Sequence, residues 1–188
     1  MTHDPTVLPP ELPTPVDDGA ADHLRGSAVP DVALPTTDGR TISLASQSGR
    51  TVVYAYPRTG RPGEDNLTPD WDQIPGARGC TPETCGFRDH HAELAAAGAE
   101  VFGLSTQATD YQSELVQRLN LPFPILSDQQ LQLTRAWSLP TFEAAGETLL
   151  KRLTLVLRSG RVEHLWYPVF PPDRHAEDVL AWLRANPA

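Results

Sequence analysis

No stretch of the 188 residues stays apolar over the ~18 positions a membrane-spanning helix needs, so no membrane span is expected. Met1 to Gly19 is rich in Pro, Asp and Thr and lacks the apolar centre of a secretory leader, which leads us to expect a cytoplasmic protein. Basic residues are scarce as well. Fifteen Lys and Arg stand against 24 Asp and Glu, for a formal charge of -9, and they are scattered; a nucleic-acid partner, which needs a basic patch, is therefore excluded. Cysteine is limited to two, Cys80 and Cys85, which rules out a disulfide framework. In a reducing compartment two such thiols are either buried and inert or take part in a redox cycle.

What is present suits a single domain, since 188 residues with 39% hydrophobic content can bury a sizeable core. Residues 1–26 carry Pro5, Pro9, Pro10, Pro13 and Pro15 and read as a flexible, solvated tail. Domain organisation is expected to begin at residue 27 and run to 188. Residues 28–44 alternate around Asp38-Gly39 as a hairpin does. Thr51 to Tyr56 is a β-branched and aromatic run, the mark of a strand buried on both faces. Further strands are expected at 100–105, 123–126, 152–157 and 162–167, and helices at 81–97, 111–119, 131–137 and 176–185. An early βαβ part, a later antiparallel hairpin and a closing helix describe an α/β protein with a mixed central sheet flanked by helices, an order that a thioredoxin-like fold fits. Trp137, Trp166 and Trp182 sit at core positions of that pattern.

The chemistry concentrates in Gly79-Cys80-Thr81-Pro82-Glu83-Thr84-Cys85-Gly86-Phe87-Arg88-Asp89. Thr81 suits an N-cap, Pro82 a first helical position and Glu83 the positive end of the helix dipole, so Cys80 is expected at a helix start. A cysteine there is expected to be acidified and to react as thiolate, with Arg78 adding positive potential. Arg88 and Asp89, adjacent on a helix, are not expected to face each other and should pair elsewhere.

This stretch, together with Tyr54-Ala55-Tyr56-Pro57, Gly103-Leu104-Ser105, Leu121-Pro122-Phe123, Leu126-Ser127-Asp128 and Lys151-Arg152-Leu153-Thr154, follows the order of motifs in peroxiredoxins. Over about residues 27 to 186 the chain resembles the bacterioferritin comigratory protein, or peroxiredoxin Q, branch. The resemblance implies a thiol-dependent peroxidase acting on hydrogen peroxide or alkyl hydroperoxides. It makes Cys80 the peroxidatic cysteine, Cys85 the resolving cysteine of an intramolecular disulfide, and Arg152 the arginine that holds thiolate and peroxide. It further implies no bound cofactor, a thioredoxin-like reductant, and a monomer or weak dimer.

Two departures from the family pattern stand out. Members place Pro seven and Thr or Ser three residues before the peroxidatic cysteine, whereas here Ala77 holds the second position and Pro57 lies 80 - 57 = 23 residues upstream. An insertion near 60–76 therefore separates the two halves of the motif. Thr59 is the candidate to fold back and bind peroxide, with Thr68 as a second, against a plain turn role for Thr59. Trp71 and Ile74 in the insertion read either as a lid or partner-docking element or as decoration of a surface loop. His90 and His91 raise the question of zinc with the two cysteines, but ~15 Å of helix between Cys80 and His90 is too far for one ligand set, and no metal is expected. Two alternatives stay open: a thiol-disulfide reductase, which would normally place two residues rather than four between its cysteines, and a redox-sensing module without turnover.

Overall fold

The computed structural model describes residues 6–188. The hairpin appears as β1 (Ala33–Pro35) and β2 (Thr41–Ser43), turned by Gly39 at positive φ. β3 (Arg50–Ala55) is buried along its whole length, as its β-branched run requires. β4 (Ala99–Ser105) and β5 (Ile125–Ser127) pair parallel beside it, and β8 (Leu153–Arg158) and β9 (Arg161–Trp166) pair antiparallel on its other flank. The sheet order β5-β4-β3-β8-β9 is thus mixed, with β3 central and the proline-flanked β5 at an edge.

Alternation along β3 divides the core. Val53 and Ala55 face a cluster with Leu34, Phe102 and Leu155. Val52, Tyr54 and Tyr56 face the opposite one, with Phe87, Leu115, Val179 and Cys80. That second layer is built by α1 (Cys80–Asp89), α2 (His91–Ala96), α3 (Thr109–Leu119) and α5 (His175–Ala185), while α4 (Gln132–Trp137) serves the first. The single helix expected over 81–97 is broken at His90 (φ -96°, ψ 7°) into α1 and α2, and Gly98 follows the second at φ +83°. Gly103 leaves room for the Tyr54 hydroxyl, since a Cβ there would lie 3.0 Å from it, tighter than an ordinary contact. Trp137 is buried, while Trp166 and Trp182 pack partly buried against the helical layer.

Two features were not anticipated. A third hairpin, β6 (Thr141–Ala144) and β7 (Glu147–Leu150), turns on Ala145 and Gly146, both at positive φ. Alanine is an unusual residue for that conformation, so Gly146 alone marked the turn. The other feature is the N-terminal segment, read as a tail. Ala21 and Leu24 of that segment enter the first core cluster, around a short 3-10 turn at Asp22–Leu24. Further upstream, Asp18 accepts from Lys151 Nζ at 2.6 Å and from the Tyr167 hydroxyl at 2.7 Å, and the Val7 carbonyl accepts from Arg78 Nη2 at 3.0 Å. Pro15 and Val16 line a cavity beside Arg152 and Tyr167. Asp18, Ala21 and Leu24, which follow the prolines, supply most of these contacts, with the Val7 main chain and Pro15 adding the rest, and a count of prolines overlooks them. Pro5, within the same segment, lies outside the described residues.

Candidate active site

Cys80 is the first residue of α1, and the helix is entered from Gly79 rather than capped by Thr81. Gly79 has φ +105°, a left-handed conformation open to glycine, and a Cβ there would lie 2.4 Å from Pro172 Cγ. Pro82 accordingly falls in the first turn but not at its first position. The remainder of α1 is fastened to the sheet: Tyr54 stacks on Phe87 with centroids 4.4 Å apart, and its hydroxyl donates to Thr84 Oγ1 at 3.2 Å.

Arg152 enters from the junction of β7 and β8 and is buried beneath the helix start. Its Nη2 lies 3.1 Å from Cys80 Sγ and also donates to the carbonyls of Gly76 (3.2 Å), Ala77 (3.4 Å) and Arg78 (3.1 Å). Its Nη1 pairs with the buried Glu83 carboxylate at Oε2. The Cys80 thiol donates to the Ala77 carbonyl at 3.5 Å, and Arg58 lines the same pocket as the sulfur, its backbone N–H helping to pull the thiol pKa down. One guanidinium therefore orients the 76–78 backbone, the sulfur and a carboxylate together, using the fork of donors that distinguishes arginine.

The electrostatics differ from the sequence-based expectation of an acidified thiol. Burial pushes the Cys80 thiol up; Arg152 pulls it down, and the Glu83 carboxylate pushes it up again. Burial likewise raises Glu83 to about 7 against the pull of Arg152. Two acids thus compete for one buried cation, and the pair titrates as a unit. A helix start alone lowers a thiol pKa, but Cys80, only 3% exposed, also loses its water. Burial raises the Cys85 thiol too, although that residue is partly exposed.

Thr59 is 1% exposed, and its hydroxyl is turned to Gln107 Oε1 at 3.1 Å. The small pocket that reaches Cys80 is lined instead by Arg58, Leu67, Trp71, Arg78 and Tyr111. Thr68 and Ile74 of the insertion do not line that pocket. Trp71 is buried against Ala77, Ala144 and Leu149, with its ring 6.3 Å from that of Phe142, so the insertion is docked onto the β6–β7 hairpin. Arg78 is paired with Asp72 at 3.6 Å as well as with Val7. Arg88 and Asp89, expected to pair elsewhere, do meet, at 2.8 Å. They lie where α1 ends and the backbone leaves helical geometry at His90, which frees the last side chain to fold toward its neighbour.

Cys85 lies on the same unbroken helix as Cys80, and both thiols are free. His90 pairs with Glu93 at 2.9 Å and the His91 ring packs 5.8 Å from Phe123. Among the described residues no group of three or more His, Cys, Asp and Glu side chains converges. Sequence reasoning missed Glu83 as a partner of Arg152, though its position one turn beyond Cys80 was a usable signal. It also missed His175, buried against Phe87 and Trp166, whose pKa falls to about 3 through burial and the charge of Arg152. No helix among the described residues is long and apolar enough to cross a membrane.

Comparison with known proteins agrees with this geometry. The family model described as Redoxin matches residues 24–180. A putative chloroplastic peroxiredoxin Q from Oryza sativa subsp. indica is 34% identical over 163 residues, covering 86% of this chain and 67% of the relative. Peroxiredoxin Bcp of Escherichia coli (strain K12) is 29% identical over 166 residues, covering 86% and 96%. The crystal structure of peroxidoxin BcpB from Mycobacterium tuberculosis superposes with a TM-score of 0.68 at 28% identity, covering 87% of this chain and 98% of that one. The chain belongs to the redoxin family, among the peroxiredoxins of the peroxiredoxin Q and Bcp group.

Proposed function

We propose that this thiol-dependent peroxidase uses Cys80 as its peroxidatic residue, Arg152 as the group that binds sulfur and peroxide together, and Cys85 as the resolving thiol. The observation that carries the assignment is the 3.1 Å approach of Arg152 Nη2 to the buried Cys80 Sγ at the start of α1. The Cys80 thiolate attacks one oxygen of ROOH. An S–O bond forms as the O–O bond breaks, and the departing RO⁻ leaves as ROH after taking a proton. The guanidinium is placed to stabilise the negative charge that moves from sulfur to the departing oxygen. Glu83 fixes the guanidinium in that orientation.

Cys80 is then a sulfenic acid. Attack by Cys85 forms the S–S bond and releases water. A dithiol protein of the thioredoxin type reduces that bond by two electrons and two protons, completing an intramolecular, atypical two-cysteine cycle in the cytoplasm, with a monomer or weak dimer as the working unit. Thr59 is given no contact with peroxide in this cycle, since its hydroxyl is committed to Gln107.

A thiol-disulfide reductase reading is less well supported, because a sulfur that is 3% exposed presents little surface for a protein disulfide to approach. Stopped-flow oxidation of the reduced protein by hydrogen peroxide tests the proposal. Rapid reaction lost in Cys80→Ser and retained in Cys85→Ser is expected, whereas a rate no faster than that of a free thiol would overturn it.

A further inference from the structure

The position three residues before Cys80 is Ala77, which offers no hydroxyl to the sulfur. Cys80 Sγ instead receives Arg152, and Arg58 lines the same small pocket, where its backbone N–H favours the thiolate, so the course of the chain after β3 becomes part of the site. That course is unsupported by sheet pairing. Tyr56 N–H still donates to the Leu104 carbonyl at 3.0 Å, but Arg58 and Thr59 lie beyond the strand.

Gln107 supplies what the sheet does not. Its Oε1 accepts from the Thr59 backbone N–H at 3.0 Å, and its Nε2 donates to the Thr59 carbonyl at 3.1 Å. The side-chain amide thereby pairs with a main-chain unit on both its donor and its acceptor, as a neighbouring strand would. The clamp is itself held. The Gln107 carbonyl accepts from Ser127 Oγ at 2.7 Å, its N–H donates to Ser105 Oγ at 3.3 Å, and Ser105 Oγ accepts from Gln112 Nε2 at 2.9 Å. These partners come from the ends of β4 and β5 and from α3, which are rigid elements.

We propose that Gln107 is a positioning residue for the peroxidase reaction: by clamping Thr59 it holds the adjoining Arg58 amide toward Cys80 and replaces, through the backbone, the polar contact that Ala77 cannot make. This rests on Cys80 as the reacting residue. A misplaced amide weakens stabilisation of the thiolate, so its loss reads out as both a slower reaction and a less acidic thiol.

The test compares Gln107→Met, which keeps the length of the side chain but neither hydrogen-bonding group, with Gln112→Leu, which breaks the same buried network without touching Thr59. Two quantities are measured on the reduced, folded protein: the second-order rate with hydrogen peroxide, and the pH midpoint of Cys80 alkylation by iodoacetamide in a Cys85→Ser background. Gln107→Met is expected to slow peroxide reaction on the order of tenfold and move the alkylation midpoint up by about one pH unit. Gln112→Leu is expected to lower the melting temperature and leave the midpoint in place. Gln107→Asn, still polar but too short to span Thr59, carries the same expectation as Gln107→Met and serves if that variant does not fold. Equal shifts in the Gln107 and Gln112 variants, or none in either, would overturn the proposal. Should Cys80 of the wild type react no faster than a free thiol while Gln107→Met still shifts the midpoint, the clamp stands and the peroxidase assignment falls.

Discussion

Arg152 touches Cys80 and Glu83 at once, Nη2 on the sulfur and Nη1 on the carboxylate, so a single side chain couples the proposed nucleophile to a buried acid one turn along the same helix. On the proposed mechanism, removing the guanidinium withdraws the donor to the departing oxygen, and it also removes the charge that opposes the burial of the thiol. Arg152→Gln should lower kcat/KM for hydrogen peroxide by about two to three orders of magnitude and raise the alkylation midpoint of Cys80. Arg152→Lys, which keeps the charge but not the fork, should recover the midpoint better than the rate.

Glu83 and His175 give folding stability opposite pH dependences. Glu83, held at about 7 in the fold against an ordinary 4.5, keeps a proton that the unfolded chain releases. Its contribution therefore falls as pH rises from 4.5 to about 7, by about 3 kcal/mol in full. His175, held at about 3 against an ordinary 6.5, refuses a proton that the unfolded chain accepts, so its contribution is complete above 6.5 and lost as pH falls toward 3. The two slopes oppose each other where their windows overlap, so in urea titrations the wild type should be nearly level between pH 4.5 and 6.5, and Glu83→Gln should expose a rise of stability with pH across that window. The same variant should lower the alkylation midpoint of Cys80, since the Glu83 charge raises it.

Forming the Cys80–Cys85 bond requires α1 to unwind. Five residues of helix separate the two Cα atoms by about 7.5 Å along the axis and about 140° around it, whereas a disulfide needs Cβ atoms about 4 Å apart. Unwinding to Cys85 also pulls Glu83 from Arg152 and Thr84 from the Tyr54 hydroxyl. Hydrogen exchange on reduced and oxidised protein should therefore show lost amide protection over residues 80–85 and retained protection in β3 and β4. An oxidised form with this helix intact would contradict the scheme.

Much of this arrangement was legible beforehand because it is written in periodicity. The uninterrupted run Val52-Val53-Tyr54 announced the central strand, and the order of motifs around Cys80 announced the fold. Other parts depend on contacts distant in sequence. Nothing near Gln107 signals that its amide closes on Thr59, 48 residues away. The β6–β7 hairpin escaped because Ala145 adopts a conformation that its residue type does not advertise. The acidity of Cys80 was misjudged for a related reason: a helix start is local information, whereas burial and the Glu83 charge are set by tertiary packing.

The N-terminal segment offers a direct contrast between a tail and part of the domain. Leu24 is 0% exposed and lies in the core cluster with Val29, Leu44 and Trp137. Leu24→Ala should cost about 2–5 kcal/mol in chemical denaturation, the range for an aliphatic side chain removed from a packed core. A loss near zero would return residues 1–26 to the status of a tail.

The insertion can be probed through Trp71, which joins the β6–β7 hairpin to the wall of the Cys80 pocket. Trp71→Ala should destabilise the protein by about 3–5 kcal/mol. In the folded variant, kcat/KM should shift in favour of a bulky substrate such as cumene hydroperoxide over hydrogen peroxide. An unchanged ratio would make the insertion a structural buttress without influence on substrate choice.

The central claim is that Cys80 takes the peroxide oxygen and Cys85 resolves the product. Intact-mass measurement after one equivalent of hydrogen peroxide tests it most directly. Wild type should lose two hydrogens as the disulfide forms, Cys85→Ser should gain a single oxygen on Cys80, and Cys80→Ser should stay unchanged. Oxygen appearing on Cys85 in the Cys80→Ser variant at the wild-type rate, or wild type left unmodified, would contradict the account.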